Sequence, residues 1–409
     1  MEFLSQLISI HGNTKSILLL TLILSAGFIM TRVTKLAKMP HVTGYLLAGI
    51  LIGPSLFGWI DPSTLQSLDF MTDIALAIIA FSVGKYFKLS ELKSNGMKSV
   101  SLTLFESLGA LIAVALLLRI VFSLPWAFCV LVGVIGASTS SASTLMTIRQ
   151  YNAKGSFVDM ILQVTALNNA FALISFNVCA AFISAIDTGH LSPFLLILPL
   201  LSNFIAIALG FAVAFLLKYL IAKRNSDDHR LVVLMIAICG LAGACSALSV
   251  SPLLACMVLG GTYRNISDDE QLFRLLNFFS PPVLLIFFVI SGMKLDLQML
   301  RVTGIMGISY FVIRLVGKNL GVFAGATLLK LDPQIRKYLG MALTPQAGVS
   351  IGLAALGQRV LPPDSALLLN SIILPSAVLY EMIGPALAKV ALFKSGAITK
   401  GEGTKTSSH

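Results

Sequence analysis

Long apolar runs separated by short polar stretches fill almost the whole chain, and the period is that of helices rather than strands. A spanning helix needs about 20 mostly apolar residues. Thirteen segments qualify or nearly qualify, beginning near positions 16, 41, 68, 100, 125, 157, 192, 230, 252, 277, 303, 336 and 364. The segment at 252 is the shortest, because Arg264 cuts it off. The pattern therefore predicts an all-α polytopic membrane protein with about 13 transmembrane helices.

Two of these runs are interrupted in the middle by small polar residues and proline: Ala137-Ser138-Thr139-Ser140-Ser141-Ala142-Ser143 and Thr344-Pro345-Gln346-Ala347-Gly348-Val349-Ser350. A helix broken within lipid leaves backbone groups unsatisfied unless they face protein, water or an ion. Discontinuous helices in corresponding positions of two halves are the device from which secondary transporters build midplane substrate sites. Other segments repeat at nearly the same offset. Tyr45 to Gly53 falls on Pro252 to Gly260, sharing Leu-Leu-Ala and the closing Gly, and Phe81-Ser82-Val83-Gly84 falls near Val289-Ile290-Ser291-Gly292. The expectation is a first inverted repeat over 1–191 (segments 1 to 6), a linker segment over 192–229, a second inverted repeat over 230–394 (segments 8 to 13), and a short cytoplasmic tail over 395–409. The breaks then fall in segments 5 and 12.

Composition agrees with this class: 56% hydrophobic residues, 11% charged and a mean hydropathy of +0.91 lie far outside the soluble range. The net charge of +11 would suit nucleic acid if it formed one surface, but it does not. With the N-terminus outside, Lys15, Arg119, Lys294, Arg301 and Arg359 fall in outer segments, Arg314 and Lys318 inside a helix, and all other Lys and Arg in inner loops and the tail. This positive-inside bias predicts a multi-pass protein of the inner (plasma) membrane, N-terminus out and C-terminus in. The first segment has no obvious small-residue cleavage site and is expected to belong to the bundle. Cys129, Cys179, Cys239, Cys245 and Cys256 lie in apolar segments without metal-ligand spacing, and four of the five histidines lie in loops or tails. No glycine-rich nucleotide fingerprint, metal set or nucleophile with its base is present, so no cofactor, metal, nucleic acid, nucleotide-binding domain or enzymatic activity is expected.

Ionisable residues at bilayer depth are functional candidates, since each costs roughly 2.5 to 3.5 kcal/mol at a helix centre. Arg314 and Lys318 stand one turn apart on one face of their segment. Glu106 lies about two turns inside its segment, within reach of the cytoplasmic interface. Glu381 is read as a structural ion pair with Lys389 or as a cap beside the Gly384-Pro385 kink. Asn168 and Asn169 put two adjacent amides in hydrocarbon, and at least one needs a polar partner. With Ser138, Thr139, Ser140, Thr344 and Gln346 they form the candidate substrate- or ion-binding set; Arg314, Lys318 and Glu106 are the candidates for charge compensation or coupling.

At this point the chain resembles the monovalent cation:proton antiporter superfamily, in the branch of bacterial Kef-type potassium and Nap-type sodium exchangers. The resemblance rests on Pro40 to Gly49 with Gly53-Pro54, on the first break followed by Thr147-Ile148-Arg149-Gln150-Tyr151-Asn152-Ala153-Lys154-Gly155, on Asn168-Asn169, and on Leu343-Thr344-Pro345-Gln346-Ala347-Gly348. It implies a thirteen-helix fold whose core domain moves against a dimerisation domain in an elevator-like cycle, usually as a homodimer, with monovalent cations (Na+ or K+) and protons as substrates. One departure stands out. The family typically carries Asp-Asp or Asn-Asp in the sixth segment, the second aspartate binding cation and proton in turn, and an asparagine cannot titrate. The residues leave several readings open: an antiporter titrating elsewhere, with Glu106 first in line; a silenced antiporter in which Asn169 mimics a protonated aspartate; an uncoupled or anion-conducting carrier or channel; or a sensor that binds without transporting. Two cations with no obvious carboxylate nearby would repel a bare cation and favour an anion.

Overall fold

The computed structural model describes residues 13–36, 41–85, 87–187, 193–221, 226–267, 269–295 and 297–398. These form helices and connecting turns: α1 (Asn13–Leu36), α2 (His41–Ile52), α3 (Pro62–Gln66), α4 (Asp69–Gly84), α5 (Leu89–Phe122), α6 (Trp126–Ala137), α7 (Ser141–Gln150), α8 (Ser156–Asp187), α9 (Pro193–Leu220), α10 (Asp227–Ala247), α11 (Pro252–Ser267), α12 (Glu270–Met293), α13 (Leu297–Leu328), α14 (Pro333–Ala342), α15 (Gly348–Val360) and α16 (Pro363–Lys394). The expected tail lies outside the described residues from 399 onward. Helices dominate because a backbone in hydrocarbon must satisfy its own N–H and C=O groups.

Among the described residues nine helices are long and apolar enough to cross a bilayer. The rest of the expected spans are shorter. At 12 residues each, α2 and α6 reach only about 18 Å, against a hydrocarbon core of about 30 Å. The segment at 252 is a 16-residue helix, and Arg264 near its end is buried in an ion pair with Glu270.

Early and late segments of the chain pack on each other reciprocally. α2 packs on α12, and α4 packs on α11, both through glycines. A methyl group added at Gly49 would lie 2.0 Å from the Val289 carbonyl oxygen, and one at Gly292 would lie 2.2 Å from that of Leu46. The other seam repeats this, with Gly84 against the Met257 carbonyl at 2.4 Å and Gly260 against that of Phe81 at 2.2 Å. Small residues let helices approach closely where hydrophobic driving force between them is weak. These are the segments whose sequences repeat, so the repeated motif coincides with the close helix contacts.

α5 and α13 form the most extensive helix pair, and glycines again set their distance. Methyl groups at Gly109 and Gly317 would each meet the other residue's carbonyl oxygen at 2.6 Å, and one at Gly321 would lie 2.9 Å from the Glu106 Cα. This contact brings Glu106 of α5 against Lys318 of α13.

Candidate functional site

Both predicted breaks are present. α6 ends at Ala137 and α7 starts at Ser141; α14 ends at Ala342 and α15 starts at Gly348. The two breaks meet, the Ser140 amide donating to the Pro345 carbonyl at 2.8 Å and the Thr139 hydroxyl to the Leu343 carbonyl at 3.4 Å. Around this crossing the structure gathers all the candidate residues: Asn168, Asn169, Ser138, Thr139, Ser140, Thr344, Gln346, Arg314, Lys318 and Glu106 are all buried.

Arg314 binds the broken backbone. Its guanidinium donates to the carbonyls of Gly136 at 2.6 Å, Ser138 at 2.6 Å and Thr344 at 3.0 Å, and lies over the Tyr380 ring, 4.4 Å from its centre. The C-terminus of a helix carries roughly half a negative charge on its free carbonyls. Gly136 and Ser138 lie at the C-terminal end of α6 and Thr344 in the break just past α14, so carbonyls from both breaks together balance one guanidinium. Lys318, one turn on, donates to the Ala137 carbonyl at 3.1 Å and the Thr139 hydroxyl at 2.8 Å, and forms a buried ion pair with Glu106.

This arrangement corrects two expectations. Two cations without a nearby carboxylate is not what the crossing holds: Glu106 is fully buried against Lys318 rather than near the cytoplasmic interface, and Arg314 is balanced by carbonyl dipoles. The local charge therefore does not favour an anion. Nor is Glu381 paired with Lys389. Its buried carboxyl accepts a 2.5 Å hydrogen bond from Ser143 on α7, while the Lys389 ammonium lies over the Tyr151 ring at 4.8 Å. The i, i+8 spacing of Glu381 and Lys389 spans more than two helical turns, too far for a direct pair.

Both asparagines of α8 are held. Asn168 accepts from Ser107 at 2.9 Å and donates to the Thr139 hydroxyl at 3.2 Å. Asn169 accepts from the Thr139 amide at 3.3 Å and donates to the Ser141 hydroxyl at 2.9 Å. Gln346 bridges the Ile135 carbonyl at 3.1 Å and the Tyr310 hydroxyl at 2.9 Å. Ser138 donates back to the Ile135 carbonyl at 2.8 Å, and the Thr344 hydroxyl reaches the Gly340 carbonyl at 3.4 Å. Sequence reasoning missed Ser107, Ser143, Tyr310 and Tyr380. The available signal was proximity in sequence: Tyr310 lies one turn from Arg314, Tyr380 adjoins Glu381, and Ser107 adjoins Glu106.

Crossed half-helices holding buried charges and amides are the arrangement from which secondary transporters build their substrate sites. Comparison with known proteins identifies the family. Residues 18–391 match the family described as "Sodium/hydrogen exchanger, transmembrane", and the chain belongs to that family. It is similar to the Na(+)/H(+) antiporter of Enterococcus hirae, 22% identical over 351 residues that cover 83% of this chain and 89% of that protein. It is also similar to the putative cation/proton antiporter YbaL of Escherichia coli, at 23% identity over 88% of this chain and 66% of that one. Its fold matches that of the sodium proton antiporter MjNhaP1 of Methanocaldococcus jannaschii, with a TM-score of 0.74 at 20% identity over 93% of this chain and 98% of that one. The chain is thus a multi-pass, antiporter-type membrane transporter.

Proposed function

We propose that the protein exchanges a monovalent cation, Na+ or K+, for a proton, with the Glu106–Lys318 pair doing the work of the absent helix carboxylate. The observation that carries this reading is the pair itself: a carboxylate and an ammonium, both fully buried, at the crossing of two broken helices. Removing an ion from water costs several kcal/mol unless it is compensated. One carboxylate therefore stabilises one added positive charge. When a cation takes Glu106, with the Thr139 hydroxyl and the Asn168 amide oxygen as further ligands, Lys318 must give up its proton and remain as a neutral amine. When the cation leaves, the amine takes a proton back and returns to the carboxylate. At this pair, one cation exchanges for one proton. The names of the similar Enterococcus hirae and Escherichia coli proteins, which specify cation and proton antiport, support the same reaction.

In this reading the parts 1–191 and 230–394 are inverted repeats joined by 192–229, and the crossing is carried across the bilayer in an elevator-like movement. The reciprocal glycine seams support the repeat relationship. The protein works as a homodimer in the inner (plasma) membrane, N-terminus out and C-terminus in. Liposomes holding purified protein and an internal pH dye, pulsed separately with Na+, K+ and Li+, test this. Cation pulses are expected to move protons, Glu106→Gln to abolish the response, and Asn169→Asp to add a second carboxylate and change how exchange responds to membrane potential. Current without proton movement would establish an uncoupled carrier instead, and saturable cation binding without flux a sensor.

A further inference from the structure

Glu381 is a buried acid that the exchange pair does not use. It lies within α16, and its neighbours hold it between the two breaks. One residue before it, the Tyr380 hydroxyl anchors α16 to α13 through a 2.6 Å bond to the Phe311 carbonyl, beneath the Arg314 guanidinium. One turn after it, Gly384 lies so close to the second break that an added methyl group would meet the Pro345 Cα at 2.9 Å. The carboxyl itself reaches α7, where the Ser143 hydroxyl donates to it at 2.5 Å. Ser143 is joined at 3.1 Å to Ser140, whose amide donates to the Pro345 carbonyl. A hydrogen-bonded path thus runs from Glu381 to the crossing. In addition, Pro385 has no N–H, so the Glu381 carbonyl oxygen lacks its usual helical donor.

Most of the cations on the elements around α16 are engaged elsewhere. Arg314 is on the carbonyls of the two breaks, Lys318 on Glu106, Arg336 of α14 over the Phe323 ring, Arg359 of α15 on Asp73, and Lys389 over Tyr151. His41 of α2 stacks on Tyr45, Lys337 belongs to α14, Arg149 lies near the far end of α7, and Asp364 and Lys394 occupy the ends of α16 itself. Among the described residues no Lys, Arg or His pairs with Glu381. A carboxylate held in such surroundings by one hydroxyl is poorly compensated, whereas a carboxylic acid is neutral and fits.

We propose that Glu381 is a second proton-carrying group, holding a proton in the state described and releasing it along the Ser143–Ser140 path when a monovalent cation occupies the crossing. The carrier role rests on the exchange reading above. Two measurements separate the two claims. Infrared difference spectra of the purified protein in lipid, at neutral pH, are expected to show a protonated carboxyl band that disappears in Glu381→Gln and diminishes when Na+ or K+ is added. A band that survives the substitution, that is absent from the unaltered protein, or that ignores the cations overturns the proposal whether or not the protein transports. Dye-loaded liposomes then report function: Glu381→Gln is expected to flatten the pH dependence of cation-driven proton release, and Glu381→Asp to keep that dependence with a shifted midpoint. An unchanged profile in Glu381→Gln overturns the carrier role. Proton movement absent in the unaltered protein refutes the exchange reading, and the infrared response to cations still decides Glu381.

Discussion

The crossing and the glycine seams meet the same demand by different physics. Both bring backbones together inside a membrane. At the seams, between α2 and α12 and between α4 and α11, the helices are unbroken, and glycine lets one helix rest against the carbonyl oxygens of the other. At the crossing the helices are broken, and Arg314, Lys318, Asn169 and the Ser140 amide satisfy the opened backbone. The glycine contacts of a seam hold no group that changes charge; the crossing is built almost wholly of groups that can change partner. Substitutions in a seam should therefore move stability, and substitutions in the crossing should move stability and ion coupling together.

The largest effect is expected at the buried pair. Glu106→Gln leaves the Lys318 ammonium uncompensated and should cost about 3–5 kcal/mol of stability as well as the exchange activity. Thermal unfolding of the double variant Glu106→Gln/Lys318→Gln is expected to regain most of that stability while transport stays lost. A double variant as unstable as the single one would show that the pair matters for shape, not charge.

Next come the seams. Gly260→Ala forces a methyl group against the Phe81 carbonyl and should destabilise by about 1–3 kcal/mol, whereas Gly240→Ala on α10, where nothing lies within 4 Å, should be neutral or gain up to about 1 kcal/mol of helix propensity. The pair of melts, with flux normalised to folded protein, checks that the seam alters the first quantity and leaves cation selectivity alone.

A smaller effect is expected at the cap of α12. Asp269 receives the Gln271 amide at 3.0 Å and is bonded to Arg230 and Tyr263. Burial pushes its carboxyl up, but the bonds from Tyr263 and Arg230 outweigh this and hold it below the ordinary value. A depressed folded value stabilises above the ordinary value of 3.8, and the gain fades as pH falls through the folded one. Asp269→Asn should thus cost about 1 kcal/mol at neutral pH, with the gap between variant and parent closing in acid unfolding curves. The smallest change is expected for Arg359→Ala. Its partner Asp73 and Arg359 itself are both more than a third exposed, so the loss should stay under about 1 kcal/mol and vanish in high salt.

Much of this was legible in the residue order. The two breaks announced themselves, because Ser138 to Ser141 and Thr344-Pro345-Gln346 are runs that no continuous apolar helix contains. Arg314 and Lys318 on one face, and Asn168 beside Asn169, were conspicuous for the cost of placing them in hydrocarbon. What was misread was partnership. Glu106 looked able to reach water because its depth in one helix is all that a sequence conveys; the Gly109, Gly317 and Gly321 contact, which buries it against Lys318, belongs to two helices far apart in the chain. Glu381 shares its helix with Lys389 and the Gly384-Pro385 kink, which in sequence suggests an ion pair or a cap, while its partner Ser143 stands on another helix.

By itself, the order of apolar and polar residues determined the helical class, the places where helices must break, and which side chains lie at depth, since each follows from a local requirement: length to span lipid, backbone bonds to be satisfied, charges to be kept from hydrocarbon. Only the tertiary structure decided which carboxylate meets which cation, and that Arg314 belongs to carbonyls rather than to an acid. Those choices depend on distances of a few ångströms between segments brought together by packing, and Coulomb and hydrogen-bond energies at that range change steeply with geometry that no single segment contains.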